Sequence, residues 1–135
     1  MDRQDQLDIV RAAYAKQILA AASVVDARLE AAFSAIRRED FLGPGPWPIL
    51  RGLRNYVPTP DADPVYLYTN DLVGILPERR INNGQPSLHA HLIHRAAPVA
   101  GDRVVPYRHG YWLLHRYPRA PGRAVGPGYR YGVRG

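Results

Sequence analysis

The stretch that decides the fold is INNGQPSLHAHLIHRAAPVAGDRVV, residues 81–105. Pro86 suits the first turn of a helix and Ser87 can cap one, so the sequence predicts a helix from these residues to about Ala97. A proline and a glycine then break the helix, and the valine-rich run 102–105 predicts the start of a buried strand. A helix, a Pro/Gly turn and a valine-rich strand in this order are typical of a doubly wound α/β fold.

The predicted strand does not continue. Its next residues are Pro106-Tyr107-Arg108, and a proline inside a central strand removes a hydrogen-bond donor from the ladder. The composition changes at the same point: residues 1–105 contain 12 basic and 12 acidic residues, whereas residues 106–135 contain six arginines and no acid. The net charge of +6 therefore lies entirely in a basic tail rich in Gly, Pro, Arg and Tyr. We expect this tail not to belong to the fold.

Upstream, the sequence predicts mostly helical structure over residues 4–40. A first helix over residues 4–22 carries an apolar stripe at helical spacing, formed by Leu7, Val10, Tyr14, Ile18 and Ala21. Asp26 can cap a second helix, in which the spacing is repeated by Leu29, Phe33 and Ile36.

The connection to the decisive stretch is rich in proline. Residues 44–64 are predicted to be irregular, and the runs 65–68 and 72–76 are predicted to be short strands. The sequence thus divides into residues 1–80, a helical amino-terminal segment with an irregular connection, residues 81–105, a loop, helix and strand start, and residues 106–135, the tail.

Two segments resemble the protein-L-isoaspartate O-methyltransferase family. The first, VVDARLEAAFSAIRREDFL, residues 24–42, resembles its amino-terminal signature, an Asp-Arg helix leading through Ala-Phe to an Arg-Glu-x-Phe turn. The second, residues 81–105, resembles its Gly-Gln substrate loop, the following helix and the Gly-Asp-x-Val-Val entry to the first central strand. The resemblance covers residues 24–105, with little contribution from residues 44–80.

The resemblance implies a fold and an activity. The fold is an α/β, Rossmann-like S-adenosylmethionine-dependent methyltransferase, represented here by its helical amino-terminal part and the start of the first central strand. The family transfers a methyl group from S-adenosylmethionine to isoaspartyl carboxylates in damaged proteins, which is a protein-repair reaction. Isoaspartyl-containing proteins or peptides are the implied partners.

The resemblance also implies a site. It places the substrate and the edge of the cofactor at the loop formed by Asn83, Gly84, Gln85, Pro86 and Ser87. The family typically has Gly-Gln-Thr-Ile-Ser here, and an ungapped match sets Pro86 against the threonine and the residue after Ser87 against the serine. Ser87 therefore takes the catalytic role of the family serine only with a one-residue slip. A helix N-cap is the alternative interpretation of Ser87.

The cofactor site of the family is missing from this sequence. In the family the first strand runs into a glycine-rich loop that binds S-adenosylmethionine, but the first glycine after Val105 is Gly110 and no GxGxG follows. Read one nucleotide later, with third bases chosen freely, codons for residues 106–135 are compatible with HIGTGTGYYTAILAHLVGPSGRVTAMEYE. That string supplies a strand, a glycine-rich loop and a helix in the expected order. The sequence predicts a frameshift near Val105-Pro106 and an inactive, truncated form of the enzyme.

The tail also permits a function of another class. Cations alternate with aromatic faces along it, as in proteins that bind single-stranded nucleic acid. The residues concerned are Tyr107, Arg108, Tyr111, Arg116, Tyr117, Arg130 and Tyr131. A frameshift explains the same residues with fewer assumptions, so we expect nucleic-acid binding to be the alternative function.

Other charged and ligand-forming residues have simple interpretations. His91 and His94 share a helix face that His89 does not share well, so no metal site is predicted. Adjacent Glu39 and Asp40 cannot face each other as an acid/base pair. The arginine pairs 37–38 and 79–80 are predicted to be solvated charges.

The remaining features bear on location. No stretch approaches the roughly 18–20 apolar residues of a membrane span, and Asp2, Asp5 and Asp8 do not suit a signal peptide. Cysteine is absent, which excludes disulfides and fits a reducing compartment. We expect a cytoplasmic protein that has no membrane partner.

Overall fold

The computed structural model describes residues 1–52 and 55–104 of the chain. It contains three α-helices: α1 (Arg3–Ala21), α2 (Ala27–Ala35) and α3 (Pro86–Ala96). Two antiparallel hairpins pair β1 (Pro48–Arg51) with β2 (Asn55–Pro58) and β3 (Gly74–Leu76) with β4 (Ile81–Asn82). Short 3₁₀ turns span Arg38–Phe41, Pro64–Leu67 and Pro77–Arg79. The basic tail, residues 106–135, lies outside the described residues.

The first two helices begin where their capping residues place them. The carboxylate of Asp2 accepts the Asp5 N–H at 2.9 Å, and that of Asp26 accepts the Leu29 N–H at 3.1 Å, which confirms Asp26 as a cap. On α1 the predicted stripe is only partly correct, because Ala21 is exposed at the end of the helix. The face that α1 buries consists of Leu7, Arg11, Tyr14, Ala15, Ile18 and Leu19.

The proline-rich connection is more regular than the sequence predicted. Strands β1 and β2 pair antiparallel, with Pro48 opposite Pro58 and Ile49 opposite Val57. The two prolines stand at the outer end of the ladder, where a missing N–H removes few hydrogen bonds. The prediction of an irregular segment was therefore wrong for these residues.

The two runs predicted as short strands differ in outcome. Residues 65–68 do not form a strand, because Pro64 opens a 3₁₀ turn and the Asp63 carboxylate accepts the Val65 N–H at 3.0 Å. In the second run a strand does form as β3, while Val73 makes a single antiparallel bridge to Ile49. The first error arose because a tyrosine-rich run can face a core from a turn as well as from a strand.

Helix α3 follows the prediction closely, with Pro86 in its first turn. Ser87 is not its cap, because Gln85 occupies that position and Ser87 is the second helical residue, so the N-cap interpretation of Ser87 was wrong. Residues 102–104 are exposed and belong to no strand, which contradicts the predicted start of a buried strand. Val104 is 43% exposed.

The buried residues form two clusters. The helical core joins α1, α2 and α3 through residues that include Ile18, Leu29 and Ala90, and Tyr68 packs into it. The hairpin core consists of Trp47, Ile49, Leu67 and Val73. Because neighbouring residues 67 and 68 enter different cores, this short segment connects the helical part to the hairpins. Among the described helices, none has the length and apolar character needed to cross a membrane.

One arginine does not behave as the sequence predicted. Arg38 was expected to be solvated, but it is only 1% exposed. Its Nη1 donates to the carbonyl oxygens of Leu67 and Thr69, whereas its buried Nε has no hydrogen-bond partner among the described residues. Its neighbour Arg37 is exposed and pairs with Glu39, as expected.

Candidate functional site

The candidate site is the loop of residues 82–87, which connects β4 to α3. Asn83 fastens this loop to the hairpin core, because its N–H donates to the Val73 carbonyl at 3.0 Å. The Asn83 Oδ1 in turn accepts the Val73 N–H at 2.9 Å. Backbone and side chain of one buried residue thus bind both polar groups of Val73, and the loop begins from a fixed position.

Gly84 turns the loop in a way that other residues would not permit. Its φ is +77°, a left-handed conformation that glycine adopts without strain, and its N–H donates to Asn82 Oδ1 at 3.0 Å. A Cβ atom built on Gly84 would overlap the His89 imidazole. His89 Nε2 lies 2.9 Å from the Asn83 carbonyl oxygen, and a carbonyl can only accept, so Nε2 carries the proton.

Ser87 lies almost buried at the start of α3, where Asn70 contacts it twice. The Ser87 N–H donates to Asn70 Oδ1 at 2.9 Å, and Asn70 Nδ2 donates to Ser87 Oγ, also at 2.9 Å. These bonds hold together two parts of the chain that are 17 residues apart. Sequence reasoning did not find Asn70, because no motif or spacing links it to the loop.

The segment around Asn70 is itself held from two sides. On the inner side, the buried Arg38 donates to the carbonyls of Leu67 and Thr69. On the outer side, the Thr69 hydroxyl donates to Asp71 Oδ2 at 3.0 Å, and that carboxylate pairs with Arg51 at 2.7 Å. The position of Ser87 therefore depends on a chain of contacts that leads into the protein interior.

A cluster of tyrosines and arginines lies behind this segment. Tyr68 donates its hydroxyl to Glu39 Oε2 at 2.5 Å, and burial together with this hydrogen bond raises the pKa of Tyr68 to about 12. Tyr14 packs edge-on against Tyr68 with ring centres 5.5 Å apart, and burial raises its pKa as well. The Arg38 guanidinium lies 5.7 Å from the Tyr14 ring centre. Both phenols stay neutral at physiological pH, so the cluster supports the fold rather than moving protons.

The three histidines of α3 do not converge on one point. The His89 side chain contacts the loop at the Asn83 carbonyl, His91 is exposed, and His94 Nδ1 lies 3.3 Å from Asp26 Oδ2 at the start of α2. Within residues 1–52 and 55–104, no group of three or more His, Cys, Asp or Glu side chains is arranged to hold a metal ion. Glu39 and Asp40 make separate ion pairs with Arg37.

The structure brings the sequence-predicted residues together as one turn. Asn83, Pro86 and Ser87 are buried, Gly84 is half-buried, and Gln85 is exposed at the tip. Ser87 Oγ accepts from Asn70 and its own hydrogen has no acceptor among the described residues. The Ser87 hydroxyl is therefore a hydrogen-bond donor at the amino terminus of a helix, a position that suits a negatively charged oxygen.

No family model, curated protein or solved structure matches this chain. The site is therefore characterised by its own geometry.

Proposed function

We propose that this chain is the amino-terminal part of an α/β, Rossmann-like methyltransferase of the protein-L-isoaspartate O-methyltransferase type, in a truncated and inactive form. One observation carries the proposal. The five residues that resemble the substrate loop of that family, Asn83 to Ser87, form a segment that hydrogen bonds to Val73 and Asn70 hold in place. A loop that only connected β4 to α3 would not need a buried asparagine, a left-handed glycine and two hydrogen bonds between Asn70 and Ser87.

The chemistry of the proposed substrate agrees with the groups at this loop. An isoaspartyl carboxylate is already ionised at neutral pH, so methyl transfer to it needs no strong general base. What it needs is alignment of the carboxylate oxygen with the methyl donor. The Ser87 hydroxyl and the partial positive charge at the start of α3 can hold such an oxygen in place.

The residues present do not fit S-adenosylmethionine. The chain leaves α3 through exposed residues up to Val104, without entering a strand, and the first glycine beyond them is Gly110. A cofactor loop requires glycines close to a strand end, so that the backbone can approach the ligand. We therefore expect the chain to bind no S-adenosylmethionine and to transfer no methyl group. A reading-frame shift near Val105-Pro106 accounts for the missing loop, and the proposed location is the cytoplasm.

Calorimetric titration tests the proposal. The 135-residue chain is expected to show no heat of binding with S-adenosylmethionine. A version in which the frame is restored after codon 105 and continued is expected to bind the cofactor. It should also methylate an isoaspartyl peptide and leave the matched aspartyl peptide unchanged. Cofactor binding by the 135-residue chain, or equal methylation of both peptides, would contradict the proposal.

Single-stranded nucleic-acid binding is the alternative function, and the composition of residues 106–135 is the observation that favours it. A salt-dependent affinity for an oligonucleotide that disappears on deletion of residues 106–135 would support it. The frame-restored chain serves as the control, because it lacks the arginine- and tyrosine-rich tail.

A further inference from the structure

Asn70 occupies a position that the resemblance does not explain. It belongs to neither matching segment, yet both polar atoms of its side chain bind Ser87. We infer that Asn70 is a positioning residue that sets the direction in which the Ser87 hydroxyl donates. The inference rests on the carboxylate-binding role that is proposed for Ser87.

The orientation of the Asn70 amide follows from elementary hydrogen-bond rules. A backbone N–H can only donate, so the atom that receives the Ser87 N–H must be Oδ1. The other atom, Nδ2, can only donate, and it therefore occupies a lone pair of Ser87 Oγ. Because Ser87 Oγ already accepts on the Asn70 side, its hydrogen points away from Asn70. That hydrogen remains available to a carboxylate oxygen at the loop.

Asn70 cannot easily move with Ser87. The preceding carbonyl, that of Thr69, accepts from Arg38 Nη1 at 3.1 Å, and the Thr69 side chain binds the following residue, Asp71. The amide is thus anchored to the core before any ligand arrives. Pre-set donors lose little entropy on binding, which is the property expected of a group that orients a reactant.

An aspartate at position 70 keeps the hydrogen bond from the Ser87 N–H but removes the one that is donated to Ser87 Oγ. In Asn70→Asp the carboxylate still accepts the Ser87 N–H, so amide hydrogen exchange at Ser87 should stay as slow as in the parent chain. The same carboxylate cannot donate to Ser87 Oγ, so the hydroxyl should turn inward and donate to it. In Asn70→Ala both bonds are lost, and exchange at Ser87 should accelerate.

The test is a double-mutant cycle on the full 135-residue chain, with an isoaspartyl peptide as the probe and NMR titration as the readout. In the parent chain, Ser87→Ala should weaken peptide binding about tenfold. In the Asn70→Asp background the same substitution should have no further effect, because the hydroxyl no longer faces the peptide. If the added negative charge were the whole effect of Asn70→Asp, Ser87→Ala would weaken binding by the same factor in both backgrounds. That additive result would overturn the inference.

A second readout needs no ligand and separates this inference from the proposed function. The Asn70 side-chain amide protons should shift when Ser87→Ala removes their acceptor, and Asn70→Asp should slow exchange of the Ser87 hydroxyl proton. If the parent chain binds no peptide but both spectral changes occur, the substrate role proposed for Ser87 fails and the orientation by Asn70 stands. Absence of both changes overturns the inference whatever the peptide does.

Discussion

The two sides of α3 meet different surroundings. On the inner side Ala90 is fully buried in the helical core, and Pro86 and Ser87 are buried at the start of the helix. On the outer side Leu88 is 51% exposed and Leu92 is 54% exposed, one helical turn apart. An amphipathic helix of a complete domain normally directs its large apolar residues inward and its polar residues outward. Two large apolar residues of α3 instead face away from the described core.

This difference shows that the inner side of α3 packs against the helical core, whereas its outer side is exposed within the described part of the chain. The inner side is held by small residues and by Asn70, so its position is fixed. The outer side carries exposed apolar surface. The valines at 99 and 104 are also exposed, so apolar surface continues toward the end of the described chain.

The largest expected change in stability comes from comparing a leucine-to-alanine substitution at a buried position with the same substitution at an exposed one. Leu29 of α2 is 1% exposed in the helical core, and Leu92 is its counterpart on the outer side. Leu29→Ala should lower the free energy of unfolding by about 2–5 kcal/mol, because it leaves a cavity. Leu92→Ala should change it by less than about 1 kcal/mol. Urea unfolding followed by circular dichroism measures both, and equal losses would contradict the contrast between the two sides.

The second-largest loss of unfolding free energy is expected when the buried hydrogen bonds of Arg38 are removed. Arg38→Met keeps most of the side-chain volume but removes the donors to the Leu67 and Thr69 carbonyls. We expect a loss of about 2–3 kcal/mol, because buried acceptors are left without partners. The matched control is Arg37→Met, since the Arg37 side chain is 47% exposed and its loss should leave the free energy of unfolding nearly unchanged.

The same urea experiment decides between the two arginines. If Arg37→Met destabilises the chain as much as Arg38→Met, the burial of Arg38 contributes nothing that a surface ion pair does not. If amide exchange at Ser87 is slower in the parent chain than in Arg38→Met, the hydrogen bonds of Arg38 also stabilise the loop.

The helices could be predicted from the sequence because their signals are local. Asp26 as a cap and Pro86 in the first turn of α3 need only a few neighbouring residues to be recognised. The β1–β2 hairpin was missed because prolines at strand ends look like breakers until the pairing of Pro48 with Pro58 is known. The burial of Arg38 was missed for a similar reason, since its carbonyl partners lie 29 and 31 residues away.

The candidate site divides along the same line. Residues 83–87 were selected from a contiguous motif, and the structure places them in one turn. Asn70 could not be selected, because its role depends on a contact across 17 residues that no local pattern encodes. The sequence alone suggested this loop as a site, which stays a prediction, whereas the contacts between Asn70 and Ser87 required the tertiary structure.

A smaller, pH-dependent effect is expected where α2 meets the end of α3. The hydrogen bond from the Leu29 N–H lowers the pKa of Asp26, and the contact with His94 lowers it further. A lowered pKa in the folded chain means that the carboxylate stabilises the fold above its ordinary pKa of about 4. This contribution is lost as the pH falls through the lower, folded value. The melting temperature should therefore decrease from about pH 5 toward pH 3.

Asn at position 26 provides the control for that effect. In Asp26→Asn the new side chain still caps α2, because asparagine is as good a cap as aspartate. The variant should show a shallower decline of melting temperature with acid. The decline should not vanish, because hydrogen bonding to the Val65 N–H lowers the pKa of Asp63 in the same direction. An unchanged pH profile would exclude Asp26 as a source of acid sensitivity.

The smallest effect on stability is expected on the outer side of α3, where the consequence is association instead. The double variant Leu88→Glu/Leu92→Glu should change the free energy of unfolding by less than about 0.5 kcal/mol, since glutamate is a good helix former and both sites are open. It should reduce self-association in sedimentation velocity, because the exposed apolar surface is lost. Ala90→Glu on the inner side is the matched control and should unfold the chain. If the double variant instead destabilises the chain as strongly as Leu29→Ala, the outer side is covered within the chain itself.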